Sequence, residues 1–182
     1  MKRAHTMIAA AATLGVLTLA WTVAAQQRSA PTEPKVQRTD RNFIVKAAED
    51  AKEEVELGRL AQSKASNEAV KQFAQRMVQD HGNANKELVE LAANKGVKLD
   101  DKAPRNNSMM DRLSKLQGAE FDREYVKEMV KDHKKDVAEF RRMHSGAVDP
   151  NLKAWIDKTL PTLEDHLKTI EGIQSQIASA KK

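Results

Sequence analysis

The chain has 182 residues, no cysteine and a formal net charge of +5 at pH 7, with 31 basic and 26 acidic side chains. This length suits one domain with a single packed core, and the absence of cysteine excludes disulfide bonds and lipid anchoring through a cysteine thiol. The charges are interspersed rather than clustered, and aromatic residues are only 4% of the chain, so we exclude nucleic-acid binding.

The N-terminus has the pattern of a secretory signal peptide. Two basic residues precede an apolar run over 7–20, and the Val-Ala-Ala sequence at 23–25 is a small-residue cleavage site. The run is shorter than the roughly 20 residues that a spanning helix needs, so an anchor is the less favoured reading. We therefore expect a signal peptide at 1–25, a disordered tether at 26–39, and a periplasmic domain at 40–180 without a transmembrane segment.

The rest of the chain predicts helices, because apolar residues recur at spacings of three and four among strong helix formers. Thr39 and Asp40 are candidate caps of the first helix, Asn67 of the second and Asp149 of the last, while Gly96 should end the second. Proline 161 lies inside the last helix and predicts a kink. The predicted helices cover residues 41–64, 68–95, 108–116, 119–143 and 150–178.

The connections between these helices predict the topology. The first and last turns between long helices are short, which makes those pairs antiparallel. The connection of roughly twenty residues in the middle is long enough to cross the bundle. We predict an all-α fold, a ferritin-like four-helix bundle with a short extra helix in the connection between the second and third long helices.

Three histidines stand out within this framework. The sequence Met-Val-x-Asp-His occurs at 77–81 and again at 129–133, and a third Asp-His pair is formed by Asp165 and His166. His81 and His133 fall on the apolar stripes of their helices, so their imidazoles should point into the core. A buried imidazole requires a hydrogen-bond partner or a metal ion.

One interpretation of the three histidines is a metal site. A di-iron centre of the ferritin type needs two Glu-x-x-His motifs, but Val78, Val130 and Leu163 occupy the positions three residues before the histidines. A mononuclear site for iron, copper or zinc remains open. Two carboxylates of the first helix lie near the level of His81, and only one of them can face inward. With the three histidines they form the candidate ligand set: His81, His133, His166, Glu54 and Glu56.

The alternative interpretation is an internal polar network, in which each histidine pairs with a neighbouring helix and fixes the register of the bundle. Nitrogens that converge within about 5 Å would favour the metal, and separate pairs would favour the network. The candidate partners are one aspartate beside each histidine and the only tyrosine of the chain: Asp80, Asp132, Asp165 and Tyr125.

The order of several short motifs resembles the bacterial family called domain of unknown function 4142. The matching segments are Phe43 with Ala47-Ala48, Glu54-x-Glu56-Leu57-Gly58-x-Leu60-Ala61, Val70-Lys71-x-Phe73-Ala74-x-x-Met77-Val78-x-Asp80-His81, Phe121-Asp122-x-x-Tyr125-Val126, Met129-Val130-x-Asp132-His133 and Leu160-Pro161-x-Leu163-x-x-His166-Leu167. The resemblance implies a ferritin-like bundle in the cell envelope, and members often carry the label outer membrane protein. It implies no activity.

The functional expectation follows from these alternatives. The chain shows no nucleophile elbow, phosphate-binding loop or catalytic triad pattern. We expect a non-enzymatic binding or stress-related protein of the envelope with a buried histidine and carboxylate network. The alternative is a metal-binding or metal-dependent redox protein that uses the core histidines. An envelope partner and the oligomeric state stay open.

Overall fold

The computed structural model describes residues 36–100, 108–147 and 149–180, and the predicted signal peptide and most of the tether lie outside them. The described residues form five helices and no strand, which confirms the all-α prediction. None of these helices combines the length and the apolar character that crossing a membrane requires. The helices are α1 (Arg38–Lys64), α2 (Glu68–Asn94), α3 (Ser108–Ser114), α4 (Gly118–Gly146) and α5 (Pro150–Ser179).

The four long helices bury two apolar clusters. The first contains Phe43 of α1 and Trp155 of α5, together with residues from the second halves of α2 and α4. The second contains residues from the second halves of α1 and α5, with Phe73 of α2 and Phe121 of α4. The helices α2 and α4 therefore run in the same direction, opposite to α1 and α5. Packing joins α1 to α2, α2 to α5, α5 to α4 and α4 to α1, which encloses the layer between the two clusters.

The caps predicted for α2 and α5 are confirmed. The side chain of Asn67 accepts hydrogen bonds from the backbone N–H groups at the start of α2, and Asp149 does the same for α5. Pro150 follows at the first helical position, where its missing N–H costs no hydrogen bond. Gly96, with φ of +64°, ends α2 as predicted, because only glycine adopts this backbone conformation at no steric cost.

The cap predicted for α1 is wrong. The helix begins at Arg38, its N-cap is Gln37 and no side chain caps it. Asp40 is fully buried in the first turn, where its Oδ2 accepts a hydrogen bond of 2.8 Å from the backbone N–H of Asp149. It thus ties the start of α1 to the start of α5. Val36 is also buried against the first cluster, and α1 begins two residues later, so residues 36–39 of the segment predicted as a tether are packed with the domain.

Helices α1 and α2 approach closely at Gly58. A Cβ atom at this position would lie 2.9 Å from Val78 Cγ2 and 3.0 Å from the carbonyl oxygen of Ala74. Only a residue without a side chain allows this separation. The close contact sets the distance between Glu54 of α1 and His81 of α2, one turn away on each helix.

Candidate metal centre

His81, His133 and His166 meet in the layer between the two apolar clusters. Their side chains come from α2, α4 and α5, and each residue is at most 5% exposed. One ring nitrogen from each lies within 4.8 Å of the other two, and the ring centroids are 5.2 to 5.7 Å apart. Phe73 packs edge-on against His133 and His166. The three imidazoles therefore share one buried layer of the core.

Two of the imidazoles are oriented by carboxylates. Nδ1 of His81 lies 2.7 Å from Oε2 of Glu54, and Nε2 of His166 lies 2.9 Å from Oδ2 of Asp80. When Glu54 and Asp80 are ionised, these nitrogens carry the protons, because a carboxylate only accepts. The remaining nitrogens, Nε2 of His81 and Nδ1 of His166, present lone pairs to each other at 3.3 Å. Two facing acceptors require a proton or a cation between them.

His133 completes the same pattern through the backbone. Its Nδ1 donates to the carbonyl oxygen of Met129 at 3.0 Å, which leaves Nε2 as an acceptor. Among the described residues this buried Nε2 has no hydrogen-bond partner, and neither does Oε1 of Glu54, 3.9 Å away. A buried acceptor without a partner costs roughly 1–3 kcal/mol. A cation in this layer would remove that cost, so the donor set fits a metal ion.

Burial also determines the charge of the centre. It lowers the pKa of each of His81, His133 and His166 to about 4, so all three are neutral at pH 7, the form that binds metal. Burial raises the pKa of the Glu54 carboxyl to about 7, against the opposing effect of His133. Because His81 is neutral, its contact with Glu54 is a hydrogen bond and not an ion pair.

The structure brings together only part of the predicted set. Glu54 and Asp80 contact histidines, whereas Glu56 is half-exposed on another face of α1. Asp165 is exposed and pairs at 2.6 Å with an arginine of α2. Asp132 is half-buried and lines a pocket that Glu54 also lines. Asp80 reaches His166 on another helix, whereas these three carboxylates point away from the histidine layer.

Tyr125 lies in the core beside the centre without bonding to it. It is fully buried and stacks on Phe121 at a centroid distance of 5.6 Å. Its hydroxyl has no hydrogen-bond partner in the part of the chain that the structure describes. Burial raises the pKa of this hydroxyl, and the Glu54 carboxylate adds to the increase. The tyrosine is thus a packing residue whose hydroxyl has no hydrogen bond.

Sequence reasoning missed Asp136. This aspartate of α4 is 9% exposed, and burial, with the charges of Glu54 and Asp50, raises its pKa to about 8. It lines a pocket of about 310 Å³ beside the centre, as does Glu54. The available signal was its spacing, three residues after His133 and four after Asp132, which places it beside the buried stripe of α4.

A small helical bundle with three converging, buried histidines belongs to the broad class of all-α proteins whose fold can hold a cofactor or metal among its helices. The chain belongs to the family described as Domain of unknown function (DUF4142), whose model matches residues 25–173. The resemblance drawn from the motifs is thereby confirmed. No curated protein matches the chain.

Several solved structures share the fold. A DUF305 fragment from Deinococcus radiodurans has 16% identity and a TM-score of 0.69, with 79% of this chain and 99% of that chain covered. CopM in the Cu(I)-bound form has 20% identity and a TM-score of 0.65, with 77% of this chain and 98% of that chain covered. A DUF305 protein from Streptomyces coelicolor has 13% identity and a TM-score of 0.67, with 76% of this chain and 93% of that chain covered. At these identities the likeness shows the fold alone.

Proposed function

We propose that this chain is an exported copper-binding protein with a ferritin-like bundle, in which His81, His133 and His166 bind one copper ion. The observation that carries the proposal is the convergence of three imidazole nitrogens whose opposite nitrogens are already hydrogen-bonded. Metal-binding histidines usually donate their other N–H to a carboxylate or a backbone carbonyl, which fixes the tautomer and the ring orientation. Glu54 and Asp80 supply the carboxylates here.

Copper is favoured over other metals for two reasons. Neutral imidazoles suit copper, zinc, nickel and iron, and copper binds most tightly of the divalent first-row metals in a given site. The similar fold of CopM occurs in structures with Cu(I), Cu(II) and silver bound. Three nitrogen donors suit a low-coordinate ion, and Oε1 of Glu54 is placed to serve as a fourth donor to an ion of higher charge.

Binding, rather than turnover, fits the burial of the centre. All three imidazoles are enclosed by four helices, and the cavity that adjoins Glu54 and His81 within the core has a volume of only about 30 Å³. This cavity leaves room for little more than water or an ion between the helices. The protein would therefore store or transfer copper in the envelope, to which the sequence at 1–25 would direct it.

The experiment is a titration of the metal-free protein with Cu(I), under anaerobic conditions and against a competing chelator, and with Zn²⁺ in parallel. We expect one tightly bound copper per chain and its loss in His133→Ala and His166→Asn. His144→Ala is the matched control, because His144 is half-exposed and pairs with Asp157 outside the core. Circular dichroism checks the folding of each variant. Equal binding by all three variants, or no binding by the wild type, would refute the proposal.

A further inference from the structure

An acidic pocket adjoins the histidine centre on the face formed by α1, α3 and α4. It has a volume of about 310 Å³ and holds six carboxylates against three cationic side chains, Arg112, Lys131 and Lys135. Two of the six form ion pairs: Glu128 with Arg112 at 2.9 Å, and Asp50 with Lys46. The six carboxylates are Asp50, Glu53, Glu54, Glu128, Asp132 and Asp136.

Four of the carboxylates form two facing rows on antiparallel helices. Asp50 and Glu54 are one turn apart on α1, and Asp132 and Asp136 are one turn apart on α4. Each row has one half-buried member, Asp50 or Asp132, and one member that is at most 9% exposed, Glu54 or Asp136. Glu54 contacts His81 through Oε2, and its Oε1 has no hydrogen-bond partner among the described residues.

These carboxylates do not form a second coordination site. Among the described residues, only the three histidines bring three ligand atoms of this kind within 4.8 Å of one another. The pocket nevertheless favours a cation, because its carboxylates outnumber its cationic side chains. It suits a mobile, hydrated cation better than a fixed, dehydrated one.

We propose that this acidic pocket is the route by which the metal cation reaches the three histidines, with Glu54 passing it from the carboxylates to the imidazoles. The inference rests on the proposed metal-binding function and adds a path to it. Asp132, which is half-buried, attracts the hydrated cation with a smaller contribution from Asp50, which pairs with Lys46. Asp136 holds the cation beside Glu54. Oε1 of Glu54 then contacts the ion within 3.9 Å of Nε2 of His133, so the ion changes ligands without crossing apolar core.

A rival entrance exists on the opposite face. A pocket of about 150 Å³ between α2 and α5 also reaches His81 and is lined by Asp80 and Glu87, but Lys158 lies 2.5 Å from Glu87 and neutralises it. Substitution of one carboxylate at each entrance therefore separates the two routes with the same change in net charge.

The test is the rate of Cu²⁺ association, measured by stopped-flow quenching of Trp155, which lines the same small cavity as His81. A Trp21→Phe background leaves Trp155 as the only tryptophan. We expect Asp132→Asn to slow association and Asp50→Asn to slow it less, because Lys46 already pairs with Asp50. Together they should slow it by about tenfold at low ionic strength, and Glu87→Gln should leave the rate unchanged. The wild-type rate should fall as salt is added.

The outcomes separate this inference from the proposed function. Slowing by Glu87→Gln and not by the two aspartate variants would overturn the acidic route while leaving the histidine site intact. Unchanged rates in every variant, or a wild-type rate independent of salt, would also overturn it. Loss of bound copper in His133→Ala reports on the histidine site itself, so its result does not depend on the route. The salt dependence needs no variant and holds if an aspartate variant fails to fold.

Discussion

Nε2 of His81 and Nδ1 of His166 lie 3.3 Å apart, and the other nitrogen of each ring is hydrogen-bonded to a carboxylate. The two imidazoles thus face each other with the nitrogens that can accept a metal ion. An internal polar network and a metal site were alternatives at the level of sequence. In this geometry the network is what orients the three imidazoles toward a common point.

Removal of Asp80 should weaken metal binding without removing a ligand. Asp80 accepts from Nε2 of His166 at 2.9 Å and so keeps Nδ1 free. We expect Asp80→Ala to lower the affinity for copper about 10- to 100-fold, as loss of such partners does at other metal sites. Asp165→Ala is the control, because both aspartates pair with Arg76 but Asp165 contacts no histidine. Equal losses in the two variants would assign the effect to Arg76 instead.

The metal-free protein should be most stable close to pH 6.5. Burial lowers the pKa of the three core histidines from 6.5 to about 4, so below pH 6.5 the unfolded chain binds more protons and stability falls with falling pH. Burial raises the pKa of Glu54 to about 7 and of Asp136 to about 8. Between pH 6.5 and 8 the folded chain therefore holds more protons, and stability falls as pH rises.

Denaturant unfolding in the presence of a chelator, from pH 5 to 8.5, measures this profile. Each uncompensated proton changes the free energy of unfolding by about 1.4 kcal/mol per pH unit. Between pH 4.5 and 6.5 Glu54 and Asp136 hold extra protons in the folded chain and offset part of the histidine effect. The free energy of unfolding should therefore fall less steeply with falling pH than the three histidines alone would cause. Asp136→Asn should flatten the alkaline side. A stability that rises steadily through pH 8 would contradict the buried state of these carboxyls.

Gly58 should be the glycine least tolerant of substitution among those in the long helices. Gly58→Ala places a methyl group against Val78 and the carbonyl of Ala74, which should cost about 1–3 kcal/mol. Gly172→Ala meets no atom within 4 Å and should stabilise α5 by about 0.5–1 kcal/mol through helix propensity. Thermal or urea unfolding of the two variants compares them directly. Similar effects in both would show that α1 and α2 are not in close contact at this position.

Tyr125→Phe should leave the free energy of unfolding unchanged or raise it. The hydroxyl is buried without a hydrogen-bond partner among the described residues, and such a group costs roughly 1–3 kcal/mol. The stacking on Phe121 is kept in the variant. Copper affinity serves as the second measurement and should not change. A loss of more than about 1 kcal/mol would show that the hydroxyl donates a hydrogen bond, with Oε1 of Glu54 as the acceptor to test.

The sequence predicted the helices and the burial of His81 and His133, because apolar spacing reports directly which face of a helix is inside. It could not choose between Glu54 and Glu56, since the relative register of α1 and α2 is set by the close approach at Gly58. That contact depends on tertiary packing. The sequence did not predict the burial of Asp136 for a related reason. An aspartate beside an apolar stripe is usually solvated, and the burial of this one depends on how α1 and α4 pack against each other.

The central claim is that three particular nitrogens bind one metal ion. Histidine ¹⁵N–¹H correlation spectra of the protein, recorded before and after addition of one equivalent of Ag(I), a diamagnetic substitute for Cu(I), test it most directly. We predict that Nε2 of His81, Nε2 of His133 and Nδ1 of His166 shift on binding, while both nitrogens of His144 stay in place. Unshifted core histidines, or a shift confined to His144, would contradict the claim.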